Sequence, residues 1–188
     1  MKHLLVLVLA TFFSFSLTAQ TLSLDSIPSN DYRASIDIPM YRNVWNLSPL
    51  QWKTENKQEH MTYTLLDGRT VFTPPGAEIT FSNGPQFTIT FHKGKHVVRD
   101  AEDNLQATIE ARHITLANGQ RYRIRSRGLF NPIVSVESPD QSEPIIINKM
   151  RTRPFEAHEV DVFANSPLLC AIGSFLAMEY IRDLQNPF

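Results

Sequence analysis

The sequence predicts a mostly β fold, a closed antiparallel barrel of about ten or more short strands around a buried hydrophobic C-terminal α-helix. Two observations lead there. Between residues 62 and 163, short runs of alternating apolar and polar residues are separated by turn signals, a spacing that by itself fits an antiparallel barrel or a sandwich. The chain then ends in Leu168–Met178, LLCAIGSFLAM, which holds no charged residue. At 188 residues and 42% hydrophobic, the chain is long enough for one domain with a sizeable core.

In chain order, residues 1–19 (MKHLLVLVLATFFSFSLTA) carry a cation at Lys2, an apolar stretch from Leu4 to Phe13 and a small-residue exit at Ala19. That is the pattern of a secretory signal peptide. The apolar stretch is too short for a membrane anchor. The expected location is therefore the periplasm or the extracellular space. Residues 20–60 read as an N-terminal extension or as first strands with irregular segments, Ile36 to Met40 being the one clear alternation. Asn46-Leu47-Ser48 matches a glycosylation sequon, which would be inert in a bacterial periplasm.

The barrel domain is expected over 61–188. Thr62–Leu66 and Arg69–Thr73 flank Asp67-Gly68, a two-residue hairpin signal. Gln86–Phe91 and Lys95–Arg99 flank Lys93-Gly94, a turn of two or three residues that the pattern leaves open, and Leu105–Ile109 follows Asp103-Asn104, with Leu105, Ala107 and Ile109 on one face. Arg112–Ala117 and Arg121–Arg127 flank Asn118-Gly119. Further strands are expected at Ile133–Glu137, Ile145–Asn148 and Glu159–Phe163. Around Asn118-Gly119 a bare two-residue loop would set Ile114 against Arg123. A three-residue loop over Asn118-Gly119-Gln120 pairs Ile114 with Ile124 and Leu116 with Tyr122, and is favoured because one face must be buried. Gly119 or its neighbour then takes a left-handed conformation. Arg121, Arg123, Arg125 and Arg127 form an outward stripe.

The last element is a helix over 167–184. Asn165 or Ser166 can cap it, and Pro167 suits its first position. A surface helix carries an apolar stripe, whereas this one is apolar all round. Pro167 to Met178 spans about 18 Å, short of a bilayer core, so the helix must be wrapped by protein. Gly173 and Ala171 permit close approach, and Phe175 and Leu176 fill space. Burial at about 1.5 kcal/mol or more per large apolar side chain makes the helix the main contributor to core stability.

The 18 Lys+Arg nearly balance the 19 Asp+Glu, giving a formal charge of -1, and no basic or acidic class of partner follows. The single cysteine, Cys170, rules out an intramolecular disulfide and any multi-cysteine metal site. Its place in the apolar helix suits a buried hydrophobe rather than a nucleophile. No P-loop, Gly-x-Gly-x-x-Gly or Gly-x-Ser-x-Gly motif is present, and no cofactor is expected.

His96-Val97-Val98-Arg99-Asp100 running through Asn104 to Leu105–Ile109 is a strand, Asp, turn, strand unit. Tyr122-Arg123-Ile124 with Ile133–Val136 is a further strand pair, and Val160–Phe163 leads into Ser166–Tyr180. These segments resemble the tubby C-terminal-like superfamily, especially its LURP-one-related and phospholipid-scramblase-like branches, over about residues 60–184. The resemblance implies a closed barrel threaded by its C-terminal helix and a role in binding lipid or phosphoinositide. It carries over no catalytic residue. Asn104 stands where the family's turn often has Gly, and Asn165-Ser166-Pro167 opens the helix where an Asp is commoner.

Three groups of residues bear on function. The stripe Arg121, Arg123, Arg125 and Arg127 can contact phosphate, and Lys93, Lys95 and Arg99 would extend it if their hairpin were adjacent. The competing reading is a solvated strand with cross-strand acids such as Glu110 or Glu137. Glu156, His158, Glu159 and Asp161 form an acidic cluster in which Glu159 and Asp161 share the outward face. Paired acids of that kind can perform glycosidic chemistry in a cleft, but edge acids that keep a barrel soluble explain them more simply. His92 and His96 supply two metal ligands at most, too few for zinc, and no metal site is expected. The expectation is thus an exported, non-enzymatic binding or scaffold domain for anionic lipid head groups or an envelope protein. The alternative is a cell-envelope hydrolase using Glu156–Asp161. Nucleic acid is not an expected partner.

Overall fold

The computed structural model describes residues 32–38, 49–54, 60–66, 76–128, 132–138, 143–151 and 158–185. The expected signal peptide, the sequon, Asp67-Gly68 with Arg69–Thr73, and Glu156 lie outside these residues. Twelve strands are described: β1 (Tyr32–Ile38), β2 (Leu50–Thr54), β3 (His60–Leu66), β4 (Gly76–Phe81), β5 (Gln86–His92), β6 (Lys95–Asp100), β7 (Leu105–Glu110), β8 (His113–Leu116), β9 (Arg121–Arg127), β10 (Ile133–Glu137), β11 (Pro144–Arg151) and β12 (His158–Ala164). Each pairs antiparallel with its sequence neighbour, and β1 closes the barrel on β12, with Tyr32 opposite Ala164 and Ile38 opposite His158. Within residues 20–60, β1 and β2 are thus first strands of the barrel, the second of the two readings that segment allowed.

Alternation assigns the faces. Ile36, Trp52, Met61, Ile79, Ile89, Val98, Ile114, Val136, Ile146 and Val162 point inward and are buried. Outward positions carry polar groups such as Gln51, Thr62, Glu78, Arg123 and Asp161. A barrel of about eight strands is filled by its own side chains, and diameter grows with strand number. Twelve strands leave room along the axis, and an α-helix occupies it.

That helix, α1 (Pro167–Gln185), turns back from the end of β12. Ser166 is its cap: the Leu169 amide donates to Ser166 Oγ at 3.3 Å, and the Cys170 amide donates to the Ser166 carbonyl at 2.9 Å. Residues 169–175 are buried without interruption, as are Ala177, Met178 and Ile181. No stripe of this span is left to solvent. The wall it meets is drawn from separate parts of the sheet. Asn148 of β11 donates to the Gly173 carbonyl at 2.8 Å, Ser174 Oγ lies 3.9 Å from Met61 Sδ of β3, and the Phe175 ring is 4.8 Å from the His96 ring of β6. Gly173 is required by space: a Cβ there would lie 2.6 Å from Val162 Cγ1, 2.9 Å from Ile146 Cγ2 and 3.0 Å from Asn148 Oδ1.

Local register differs from the expectation at some turns and decides between open alternatives at another. The β8–β9 loop has three residues, but they are Ala117-Asn118-Gly119. Leu116 pairs with Gln120, Ile114 faces Tyr122 rather than Ile124, and Gly119 takes φ +84°. The two-residue shift preserves the faces. Its cause is local: Asn118 Oδ1 accepts the Gln120 amide at 3.0 Å, and Tyr122 donates to Gln120 Oε1 at 3.0 Å. Lys93-Gly94 is a two-residue turn with φ of 47° and 83°, which places Phe91 opposite His96 and Val98 on the inward face. Leu105 does not share the buried face of Ala107 and Ile109: an irregularity at Val98/Arg99 shifts the register, and Leu105 is 45% exposed. The partner of β3 toward the C-terminus is β4, a strand absent from the sequence reading, with Leu66 opposite Gly76.

The fit around Gly173 gives a test whose sign is informative. In a solvent-facing helix, Gly→Ala stabilises by about 1 kcal/mol. Here Gly173→Ala should instead lower the urea midpoint, because overpacking of about 1–3 kcal/mol exceeds that gain.

Candidate functional site

The arginine stripe lies on the outside of β9, where Tyr122 and Ile124 alternate inward. The twist and alternation of the strand project all four guanidinium groups from one face. They are not equivalent. Arg125 Nε is 2.9 Å from Glu137 Oε2 and an Arg127 amino group is 3.9 Å from Glu137 Oε1, across the β9–β10 ladder. Ser135 Oγ donates to the same Glu137 carboxylate at 2.9 Å. Arg121 and Arg123 are exposed and form no ion pair among the described residues. They face Thr115 and His113 on β8. The cross-strand acid expected at Glu137 is thus real for half the stripe.

Lys93, Lys95 and Arg99 do not extend it. β7 and β8 stand between β6 and β9. Arg99 is also held by its own turn, donating to the Asp103 carbonyl at 2.6 Å. That turn is organised by Asp100, whose carboxylate accepts the Glu102 and Asn104 amides at 3.1 and 2.8 Å and the Gln106 side chain at 2.6 Å. Desolvation pushes the Asp100 carboxyl upward, but the donations from Asn104, Gln106 and Glu102 outweigh it and hold it below its ordinary value. Asp103 takes the left-handed conformation here, φ 66°, so Asp100 organises the turn and Asp103, three residues on, supplies the bend.

The acidic group is divided by the pleat. Glu159 and Asp161 point outward, whereas His158 lies on the same parity as buried Val160 and Val162. The His158 imidazole therefore does not join the carboxylates. Each described acid has a cationic partner: Arg151 is 3.3 Å from Glu159, and Arg33 is 3.5 Å from Asp161, which also accepts Ser35 Oγ at 2.5 Å. The Arg33 and Ser35 contacts could not be read from sequence because they depend on the β1–β12 closure. Beside them Phe163 and Ile147, outward yet buried, form a small second apolar cluster, with the Arg33 and Lys149 charges each 5.2 Å from the Phe163 ring centre. His92 is exposed on the outside while His96 packs inward between Phe91 and Phe175, so the two histidines lie on opposite faces. No group of three or more metal-binding side chains converges among the described residues.

One polar cluster is largely buried. Arg182 lies 2.8 Å from Glu179 near the C-terminal end of α1, in electrostatic reach of Tyr63, whose fully buried hydroxyl has no hydrogen-bond partner among the described residues. Burial pushes the Tyr63 phenol well above its usual range, with Glu179 adding to the rise and Arg182 opposing it. Burial likewise raises the Glu179 carboxyl to about 7 despite the opposing Arg182 charge. This partly exposed cluster at the end of α1 is separate from the outward arginines of β9.

No protein-family model, curated protein or solved structure matches the chain. No helix among the described residues is long and apolar enough to cross a membrane.

The Glu179 carboxyl makes stability depend on pH. A carboxyl raised in the folded state binds its proton more tightly there than in the unfolded chain, so its contribution is complete below about 4.5 and is lost as pH rises to about 7. Glu179→Gln should flatten the fall in melting temperature across that interval. An unchanged pH profile would show that Glu179 titrates alike in both states.

Proposed function

We propose that the chain is an exported, non-enzymatic binding or scaffold protein whose β9 face engages anionic lipid head groups through Arg121, Arg123, Arg125 and Arg127. The observation that carries this reading is the pair Arg121 and Arg123, exposed on the outside of the barrel with no acid partner among the described residues. Guanidinium groups present several donors in a fork that suits phosphate, and an outward strand repeats them at a regular spacing of about 7 Å. Membership of the tubby C-terminal-like superfamily is part of the proposal. The closed barrel around a C-terminal helix is the architecture that resemblance implies. Export rests on the composition of residues 1–19.

The alternative, an envelope hydrolase using Glu156, His158, Glu159 and Asp161, gains nothing from the described geometry. Glu159 and Asp161 are each engaged by an arginine, and His158 faces the other way.

The test is partitioning onto vesicles of phosphatidylcholine with and without phosphatidylglycerol. The protein should bind only the anionic vesicles. Replacing Arg121, Arg123 and Arg125 with Ser should reduce that binding by at least about tenfold with no loss of folded structure. Equal partitioning of the triple variant and the unaltered protein would remove the lipid reading.

A further inference from the structure

The arginine face is divided into an open half and a closed half by one acid. Glu137 reaches Arg125 and Arg127 with its two carboxylate oxygens, at 2.9 and 3.9 Å, and Ser135 Oγ fixes one of those oxygens at 2.9 Å. Its side chain is only 26% exposed, against 44% and 53% for the two arginines. The β10–β11 register shifts between Val136 and Glu137, and an irregularity of that kind re-aims the side chain beside it. In the ladder Glu137 stands opposite Arg123, yet its ion pairs run to Arg125 and Arg127. Arg123 and Arg121 are left open.

Resting on the lipid reading above, we propose that Glu137 is a resident counter-ion that masks Arg125 and Arg127, so that an anionic membrane surface is engaged first through Arg121 and Arg123. A membrane rather than a free phosphate fits because the four arginines project from the outer, convex face of the barrel. A small ion there would keep water on most sides, whereas a surface bearing many phosphodiesters can meet several guanidinium groups at once. Neutralising Glu137 releases two cations and removes one repelling charge, and each cation near an anionic membrane contributes about a fivefold gain in binding.

The experiment compares three variants on phosphatidylcholine/phosphatidylglycerol vesicles, with melting temperature recorded for each. Glu137→Gln should bind at least about fivefold more tightly than the unaltered protein and lose binding more steeply with salt. Arg121→Ser with Arg123→Ser should cost at least about tenfold, and Arg125→Ser with Arg127→Ser distinctly less. If Glu137→Gln does not fold, the ranking of the two double variants decides the question. Equal losses in the two double variants, or no gain from a folded Glu137→Gln, would overturn the masking role while leaving lipid binding intact. Failure of the unaltered protein to bind these vesicles would overturn both, as would binding of inorganic phosphate in solution without vesicle binding.

Discussion

A helix that is apolar on every side is stable in water only when something surrounds it, and this constraint organises the structure. Burying the side chains from Leu169 to Met178 requires a wall on all flanks, which an open sheet does not offer. Twelve strands close into a ring wide enough to take a helix along the axis, and the helix in turn removes the void such a ring would enclose. Barrel and helix are therefore not two elements that pack but one solution to a single burial problem.

The seam between them is made by size and by a few polar contacts. Gly173 brings the helix backbone against Val162 and Ile146, and Asn148 uses that closeness to donate to its carbonyl. A buried donor placed there favours one axial position of the helix over its neighbours, since sliding by a turn would leave the amide unpaired. Near the helix end, Glu179 and Arg182, both largely buried, meet each other as an ion pair. With the inside committed to packing, the proposed lipid contact falls to the outward pleat, where Arg121 and Arg123 of β9 are exposed and form no ion pair among the described residues.

Much of this is legible in the sequence because alternation and turn residues act locally. The outward placement of Arg121 to Arg127 follows from Tyr122 and Ile124 between them, and Gly119 and Lys93-Gly94 mark their turns by conformational need. The C-terminal helix and its Ser166–Pro167 start are visible for the same reason. What cannot be read depends on contacts distant in the chain or on small register choices. The β1–β12 closure puts Ser35 and Arg33 on Asp161, a pairing no neighbouring residue signals. The Asn118 side chain moves one hairpin by two residues, and an irregularity at Val98/Arg99 turns Leu105 outward. Strand β4 does carry a signal, the alternation of Ala77, Ile79 and Phe81, but the nearby Asp67-Gly68 dipeptide is the stronger local cue and draws the hairpin assignment away from it. The division of the arginine face is half legible: Glu137 is an evident acid nearby, yet it stands opposite Arg123 in the ladder and pairs instead with Arg125 and Arg127, beside a register irregularity that no local residue signals.

The enclosure of the helix is tested most directly by its one thiol. Cys170 is fully buried, and burial raises its thiol to about 12 despite the Ser174 contact that opposes the rise. Labelling with a small thiol reagent should be negligible in the native protein and should proceed at the rate of global unfolding as urea is added. Rapid labelling of Cys170 while the β-sheet circular dichroism remains intact would contradict a helix enclosed by the barrel.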